Sequence, residues 1–260
     1  MSTKTIVLRS APLYAVADAT AELETECLFG EQFEVNAEIS KSESRFVFGR
    51  LTSDGYEGWV PSAALGDLPA ATHRLSVLAS WVRENENIKS QSLMLLSMGS
   101  LITVKGQEDN INQVALPLNT HGYIPESHMV SSNELQRDWV SVAESFLGVP
   151  YRWGGRTHSG LDCSALVQLS AQSAQLSMPR NSSQQQAHGT AVESVEQLQR
   201  GDLVFWKCHV GVMQSGTQLL HANAHHMQVA SEPLLSATAR IKQKEGSITA
   251  MKRLAILGCV

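Results

Sequence analysis

The feature that most constrains the fold is a degenerate repeat within the first 130 residues. Two pairs of segments match: LFGEQFEV at 28–35 with SMGSLITV at 97–104, and GYEGWVPSAAL at 55–65 with THGYIPESHMV at 120–130. Each copy has alternating residues before a turn and then an aromatic strand that ends in proline, at Pro61 and Pro125. Proline cannot donate to a sheet, so it fits the end of a strand. The repeat therefore predicts two similar, small all-β units.

The hydrophobic period changes near residue 134, which predicts the start of another domain. A first helix is indicated by apolar residues at helical spacing before Gly148 and Pro150: Trp139, Val140, Ala143, Phe146 and Leu147. A second helix is predicted from Cys163 to about Gln175. The remainder is predicted to be mostly strand, at 202–206, 209–214, 218–222 and 227–230. The predicted fold class is α+β, with domains at 1–70, 71–133 and 134–260.

Composition and charge argue against several classes of function. The 260 residues have a formal net charge of -5 and lack the clustered Lys and Arg that nucleic-acid binding requires. No apolar run is long enough to span a bilayer. The first residues lack the apolar core of a signal peptide, because Arg9, Ser10 and Pro12 interrupt it. We therefore expect a cytoplasmic monomer that binds neither nucleic acid nor membrane.

Cys163 is the leading candidate for a nucleophile. Asp162 can act as the N-cap of the second helix, which places Cys163 where free N–H groups and the helix dipole favour a thiolate. Such surroundings lower a thiol pKa from about 8.5 to roughly 3.5–7.5. His209 and His221 lie 12 residues apart around a Ser215-Gly216 turn, so an antiparallel hairpin would make them neighbours. A thiol, a base and a group that orients the base are what nucleophilic catalysis requires.

The segments around these residues resemble the NlpC/p60 family of cell-wall peptidases, whose catalytic domain is papain-like. The matching segments are YRWGG at 151–155, GLDCSALV at 160–167, MPRNSSQQ at 178–185, LQRGDLVFW at 198–206, HVGVM at 209–213 and LLHAN at 219–223. The resemblance implies that Cys163 is the nucleophile, His209 the base and His221 the third polar residue. It also implies that Asp162 and Ser164 face the substrate. The sequence departs from the usual family pattern at noncatalytic positions: Ala165, Met178 and Arg200.

The two β units resemble bacterial SH3-like barrels, and the whole layout resembles a subgroup that recycles wall peptides. Those enzymes hydrolyse the γ-D-glutamyl-diamino acid bond of murein peptides with a free N-terminal L-Ala. In them an SH3-like domain closes one end of the cleft, where carboxylates and a Tyr receive the substrate ammonium. The resemblance makes Asp162, Tyr56 and Glu22 candidates for that contact and Trp153 a further substrate-binding residue. It implies no metal or organic cofactor.

Several alternatives stay open at this point. The same thiol would serve an exported wall endopeptidase, an amidase or an acyltransferase, and a decayed catalytic domain would leave a wall-binding protein. A zinc site around His221, His225 and His226, with Cys163, Cys208 and His209, lacks the spacing of known zinc motifs. His225 and His226 are expected to lie on a surface loop. Arg180 fits either a clamp for a substrate carboxylate or a structural ion pair. The remaining cysteines are expected to be ordinary residues without a catalytic role: Cys27, Cys208 and Cys259.

Overall fold

The computed structural model describes residues 2–36 and 45–255, which divide into two units. Unit 1 comprises Met1–Glu134 with Arg156–His158, and unit 2 comprises Leu135–Gly155 with Ser159–Val260. The three predicted domain ranges stay a prediction, and the grouping of 156–158 with unit 1 is a detail that they did not include. Cys259 lies outside the described residues. None of the helices in the described parts of the chain is long and apolar enough to cross a membrane.

The first part of unit 1 is a sheet whose strand order is β3-β2-β6-β5-β4-β1-β7. Its strands are β1 (Ser2–Ile6), β2 (Ser10–Tyr14), β3 (Leu23–Leu28), β4 (Gln32–Val35), β5 (Phe46–Leu51), β6 (Glu57–Pro61) and β7 (Leu65–Gly66). The inward residues alternate along the strands and form one core: Ile6, Ala11, Leu13, Cys27, Phe33, Leu51, Val60 and Ala64. Cys27 is therefore an ordinary buried residue, as expected.

The second part of unit 1 has two sheets, ordered β10-β9-β14-β13-β12 and β11-β8-β15. The strands are β8 (His73–Leu75), β9 (Ala79–Arg83), β10 (Ser92–Ser97), β11 (Leu101–Ile102), β12 (Val104–Glu108), β13 (Ile111–Ala115), β14 (His121–Pro125) and β15 (Met129–Ser131). Its core includes Phe29 from the first part, and the backbone N–H of Leu101 donates to the Phe29 carbonyl at 2.8 Å. The two parts of unit 1 therefore share packing.

The repeated segments adopt the same local structure in both parts of unit 1. Gly30 and Gly99 occupy equivalent turns with φ of +83° and +87°, a conformation that glycine adopts without strain. The strands that end at Pro61 and Pro125 each run into a single turn of 3-10 helix, Ser62–Ala64 and Glu126–His128. The structure thus confirms the predicted pair of small β units.

A buried ion pair lies inside unit 1. The Arg156 side chain is fully buried, and its Nη2 and Nη1 atoms donate to Glu31 Oε1 at 2.9 Å and Oε2 at 3.0 Å. Arg156 Nη1 also donates to the Glu26 carbonyl, and its backbone N–H donates to Glu26 Oε2, both at 2.9 Å. This bidentate geometry is the one in which a buried guanidinium and carboxylate compensate each other best. Arg156 opens the short strand β16 (Arg156–Thr157).

Unit 2 combines helices with an antiparallel sheet ordered β18-β23-β19-β20-β21-β22. Its helices are α1 (Trp139–Glu144), α2 (Cys163–Ser173), α3 (Ser182–Gln185) and α4 (Leu234–Glu245). Its strands are β17 (Gly160–Leu161), β18 (Thr190–Ala191), β19 (Asp202–Trp206), β20 (His209–Met213), β21 (Gln218–Asn223), β22 (Gln228–Pro233) and β23 (Ala250–Arg253). Strands β19 to β22 lie where the sequence predicts them.

The predictions for unit 2 need two corrections. The first helix ends at Glu144, and Leu147 is 56% exposed instead of facing the core. The expectation that the last part of the chain is mostly strand is wrong for residues 234–245, which form α4. Its buried residues Leu234, Ala237 and Ile241 follow helical spacing and pack on the sheet core.

Candidate active site

Helix α2 begins at Cys163, and Asp162 is its N-cap, as predicted. The Asp162 side chain accepts from the backbone N–H of Ala165 at 2.9 Å, which satisfies one of the free donors of the first turn. Cys163 is 6% exposed, and its thiol is hydrogen-bonded by the backbone N–H groups of Val210 and Ser164. Because Val210 follows His209 directly, the thiol lies at the first residues of strand β20.

Burial dominates the acidity of this thiol. It raises the pKa of Cys163 to about 12, and the Asp162 charge acts in the same direction. The hydrogen bonds from Val210 and Ser164 and the charge of Arg180 act against this rise without reversing it. The predicted lowering of the thiol pKa is therefore corrected, because removal from water outweighs the position at the helix N-terminus.

The predicted hairpin brings the two histidine rings into contact. Strands β20 and β21 are antiparallel, with register pairs Val212–Leu220 and Met213–Leu219. His209 Nε2 and His221 Nδ1 are 2.8 Å apart, and His221 is fully buried. Gly211 lies against His221, because a Cβ at this position would be 3.2 Å from the His221 Cβ. The absence of a side chain at Gly211 leaves room for the second ring.

Both imidazoles are held in the neutral form. Burial lowers the pKa of His209 to about 3, with further lowering from the charges of His221 and Arg240, while Glu232 opposes the shift. Burial also lowers the pKa of His221, against the effect of its hydrogen bond to Glu232. A neutral imidazole can accept a proton from an attacking thiol, which is the chemistry of a general base.

The carboxylate of Asp162 is engaged by protein groups on both oxygens. Arg180, which is 2% exposed, donates Nη1 to Oδ1 at 2.9 Å and Nη2 to Oδ2 at 2.6 Å. The backbone N–H of Gly154 donates to Oδ2 at 3.0 Å, and the Ser164 hydroxyl donates to Oδ1 at 3.1 Å. This arrangement supports the structural ion pair for Arg180. The proposed contact of Asp162 and Ser164 with substrate stays a prediction.

The other predicted substrate residues are distributed over both units. Trp153, in unit 2, is 58% exposed. In unit 1, the Tyr56 hydroxyl donates to Glu24 Oε2 at 2.8 Å, and Glu22 is exposed. Their roles in binding stay predictions.

Sequence reasoning missed two residues that extend the histidine pair. His221 Nε2 is 2.8 Å from Glu232 Oε1, and Glu232 is bound in turn by Arg240. Their signal in the sequence was weak. Glu232 is the second-last residue of β22, and its contact with His221 depends on how β22 pairs with β21. Arg240 lies on helix α4, which the sequence did not predict. Burial acts to raise the pKa of Glu232, but hydrogen bonds from Arg240 and His221 hold it well below its usual range.

Among the described residues, one group could offer ligands to a metal: His221, His226 and Glu232, whose ligand atoms lie within 4.8 Å of one another. Arg240 already shares the Glu232 oxygen that faces His221, and a guanidinium disfavours a cation beside it. His225 and His226 lie exposed in the turn before β22, with ring centroids 4.7 Å apart, as expected for surface loop residues. Cys208 is likewise in a turn, where it is exposed.

Unit 2 has a buried thiol at a helix start and a histidine pair on a hairpin of an antiparallel sheet, an arrangement that fits the predicted papain-like fold. A family model described as "NlpC/P60 family" matches residues 148–243, and one described as "Bacterial dipeptidyl-peptidase Sh3 domain" matches residues 13–65. The chain therefore contains a peptidase domain of the NlpC/P60 family, preceded by a bacterial SH3-like domain. The predicted family and fold class are confirmed.

Known proteins resemble this chain over most of its length. It is 25% identical over 238 residues to "Dipeptidyl-peptidase 6" of Lysinibacillus sphaericus, covering 84% of this chain and 86% of that protein. It is 26% identical over 241 residues to "Gamma-D-glutamyl-L-lysine dipeptidyl-peptidase" of Bacillus subtilis, covering 86% and 79%. An NlpC/P60 family protein from Bacillus cereus has the same fold, with a TM-score of 0.83 over 97% of this chain and 99% of the other at 20% identity.

Proposed function

We propose that this protein is a cysteine endopeptidase that hydrolyses the γ-D-glutamyl-diamino acid bond of murein peptides with a free N-terminal L-Ala. Its role in this proposal is the recycling of wall peptides in the cytoplasm. The proposal rests most on one observation. The Cys163 thiol accepts from the backbone N–H of Val210, the residue after His209, and His209 Nε2 is 2.8 Å from His221 Nδ1. The name of the Bacillus subtilis relative supports the choice of bond.

In the proposed reaction, His209 removes the thiol proton as the Cys163 sulfur attacks the γ-glutamyl carbonyl. The backbone N–H of Cys163 helps to bind the oxyanion. The tetrahedral intermediate then collapses to a thioester, and the amine of the diamino acid leaves with the proton that His209 held. Water hydrolyses the thioester, with His209 as base again, and restores the thiol.

A requirement for a free N-terminus follows from the kind of cleavage. A dipeptidyl-peptidase removes two residues from the amino end, and L-Ala-γ-D-Glu is the dipeptide that this bond would release. An ammonium buried by the enzyme needs an acidic partner. Asp162, Tyr56 and Glu22 are the proposed partners, with Trp153 against the peptide.

Mass spectrometry of a defined set of wall peptides tests bond, end requirement and nucleophile together. We expect the wild type to cleave free L-Ala-γ-D-Glu-diamino acid peptides and to leave their N-acetylated forms intact. Cys163→Ala should lower kcat by a factor on the order of 10⁴ or more, whereas Cys208→Ala, at an exposed cysteine, should leave activity unchanged.

Other results would select the alternatives. Equal cleavage of free and N-acetylated peptides, or of cross-linked wall, would favour an exported wall endopeptidase, and cell fractionation would then place the protein outside the cytoplasm. Release of a different product by the same thiol would indicate an amidase or acyltransferase. Absence of hydrolysis by pure, reduced enzyme on every wall peptide would favour a wall-binding protein.

A further inference from the structure

The histidine pair is one end of a longer hydrogen-bonded chain. His221 Nε2 lies 2.8 Å from Glu232 Oε1. Arg240 holds the same carboxylate with both terminal nitrogens, Nη1 to Oε2 at 2.7 Å and Nη2 to Oε1 at 2.5 Å. The Glu232 side chain is 11% exposed and the Arg240 side chain 26%. The order of contacts is thus Arg240, Glu232, His221 and His209.

The fold explains why these four side chains meet. In the pairing of β21 with β22, Glu232 lies opposite Leu219, two residues from His221, and residues two apart on a strand share one face. Helix α4 begins at Leu234, directly after this strand, and returns Arg240 to the carboxylate. The interaction is therefore built by consecutive elements of unit 2.

The chain of contacts selects one tautomer for each ring. A carboxylate held by a guanidinium only accepts hydrogen bonds, so His221 must carry its proton on Nε2. His221 Nδ1 is then bare and accepts from His209 Nε2–H at 2.8 Å. His209 is left with Nδ1 as its free lone pair, and this nitrogen is the one available to act as a base.

We propose that Glu232, held in place by Arg240, is a positioning residue that fixes the tautomers of His221 and His209. The inference rests on the proposed function only in taking His209 as the base. A metal on His221 Nε2 is the competing use of this cluster, because it would replace the proton and the Arg240 contact.

The experiment compares Glu232→Leu, Glu232→Gln and Arg240→Met with the wild type. Glu232→Leu removes the acceptor, whereas Glu232→Gln keeps a carbonyl oxygen that can accept from His221. Arg240→Met keeps the carboxylate and releases it from its anchor. Glu193→Leu, which changes an exposed glutamate of the same unit, is the matched control. Thermal unfolding monitored by circular dichroism establishes that each variant is folded.

Long-range ¹H–¹⁵N spectra of histidine-labelled protein give a readout that needs no substrate. We expect the wild type, Glu232→Gln and Glu193→Leu to show the Nε2–H tautomer at both His209 and His221, and Glu232→Leu to show mixed tautomers. On the wall peptide, Glu232→Leu should lower kcat by about 10- to 100-fold with KM changed less than about 2-fold. Glu232→Gln should lose less than about 10-fold.

The outcomes separate this inference from the proposed function. Unchanged tautomers in a folded Glu232→Leu variant would overturn the inference, and so would stoichiometric zinc binding by the wild type that Glu232→Leu abolishes. Mixed tautomers in that variant would support it even if the wild type cleaves no wall peptide, a result that counts against the function alone. If Glu232→Leu does not fold, mixed tautomers in Arg240→Met support the inference and unchanged ones overturn it.

Discussion

At the scale of single residues, burial determines the protonation states of Cys163 and His209 before any substrate binds. Burial moves the thiol pKa up and the imidazole pKa down, so both shifts favour the neutral partners. The backbone N–H groups that face the sulfur therefore contribute most when negative charge develops on it during attack. Such preorganised donors stabilise a transition state more than a ground state.

The alkylation rate of Cys163 should report this raised pKa. Because the thiol pKa is about 12, the thiolate fraction at pH 7 is small and increases about tenfold for each pH unit up to that value. We expect iodoacetamide labelling of Cys163, followed by peptide mass spectrometry, to accelerate steadily from pH 6 to pH 10. A rate that is already high and constant between pH 5 and pH 8 would instead indicate a thiolate–imidazolium pair.

Gly211 should be sensitive even to the addition of a methyl group. A Cβ there would lie 2.7 Å from Leu219 Cδ1 and 3.2 Å from His221 Cβ, so Gly211→Ala must displace one of them. We expect a loss of about 1–3 kcal/mol in the free energy of unfolding and a fall of roughly 10-fold or more in kcat. Gly106→Ala, where no atom lies within 4 Å, is the control and should change neither quantity.

At the scale of elements, helix α2 depends on the ion pair at its N-terminus. Asp162 caps the helix and also compensates the buried Arg180, so one carboxylate joins the loop before the helix to the segment that follows it. Removing one member of a buried pair is costly because the other charge remains without compensation.

Arg180→Met should therefore destabilise unit 2 by about 3–5 kcal/mol in the free energy of unfolding. The double variant Asp162→Asn/Arg180→Met should recover much of this loss, because asparagine still caps a helix and carries no charge. Urea unfolding followed by far-UV circular dichroism measures both. Equal stability of the wild type and Arg180→Met would contradict the buried ion pair.

The elements also show what the sequence can and cannot predict. The turn at Ser215-Gly216 and the apolar strands beside it are local signals, so the hairpin that joins His209 to His221 was predictable. Helix α4 was not predicted, because only three of its twelve residues are buried, Leu234, Ala237 and Ile241, and they give a weak helical period. The role of Glu232 depends on strand register and on α4 together, and the pKa of Cys163 depends on burial that only the folded chain defines.

At the scale of the whole molecule, the doubled β unit accounts for the length of the chain before the peptidase domain. Its two parts share Phe29 and a backbone hydrogen bond, so unit 1 is one packed body rather than two independent barrels. The buried Arg156–Glu31 pair adds a contact that spans 125 residues of sequence within this unit. Local sequence patterns cannot predict a contact between residues this far apart in the chain.

Arg156→Met should lower the stability of unit 1 by about 3–5 kcal/mol, because Glu31 would be left buried without its cation. Adding Glu31→Gln should restore part of the loss, since glutamine can still accept from the backbone N–H of Leu28 as Glu31 does at 2.7 Å. Chemical denaturation with tryptophan fluorescence provides the measurement. A single variant as stable as the wild type would show that the pair contributes little.

The position of Arg156 also governs how the chain can be shortened. A fragment beginning at residue 135 would retain this guanidinium but lose both Glu26 and Glu31, which lie before the cut. A minimal catalytic fragment should therefore carry a neutral side chain in place of Arg156, because a guanidinium without its carboxylate partners is costly to bury.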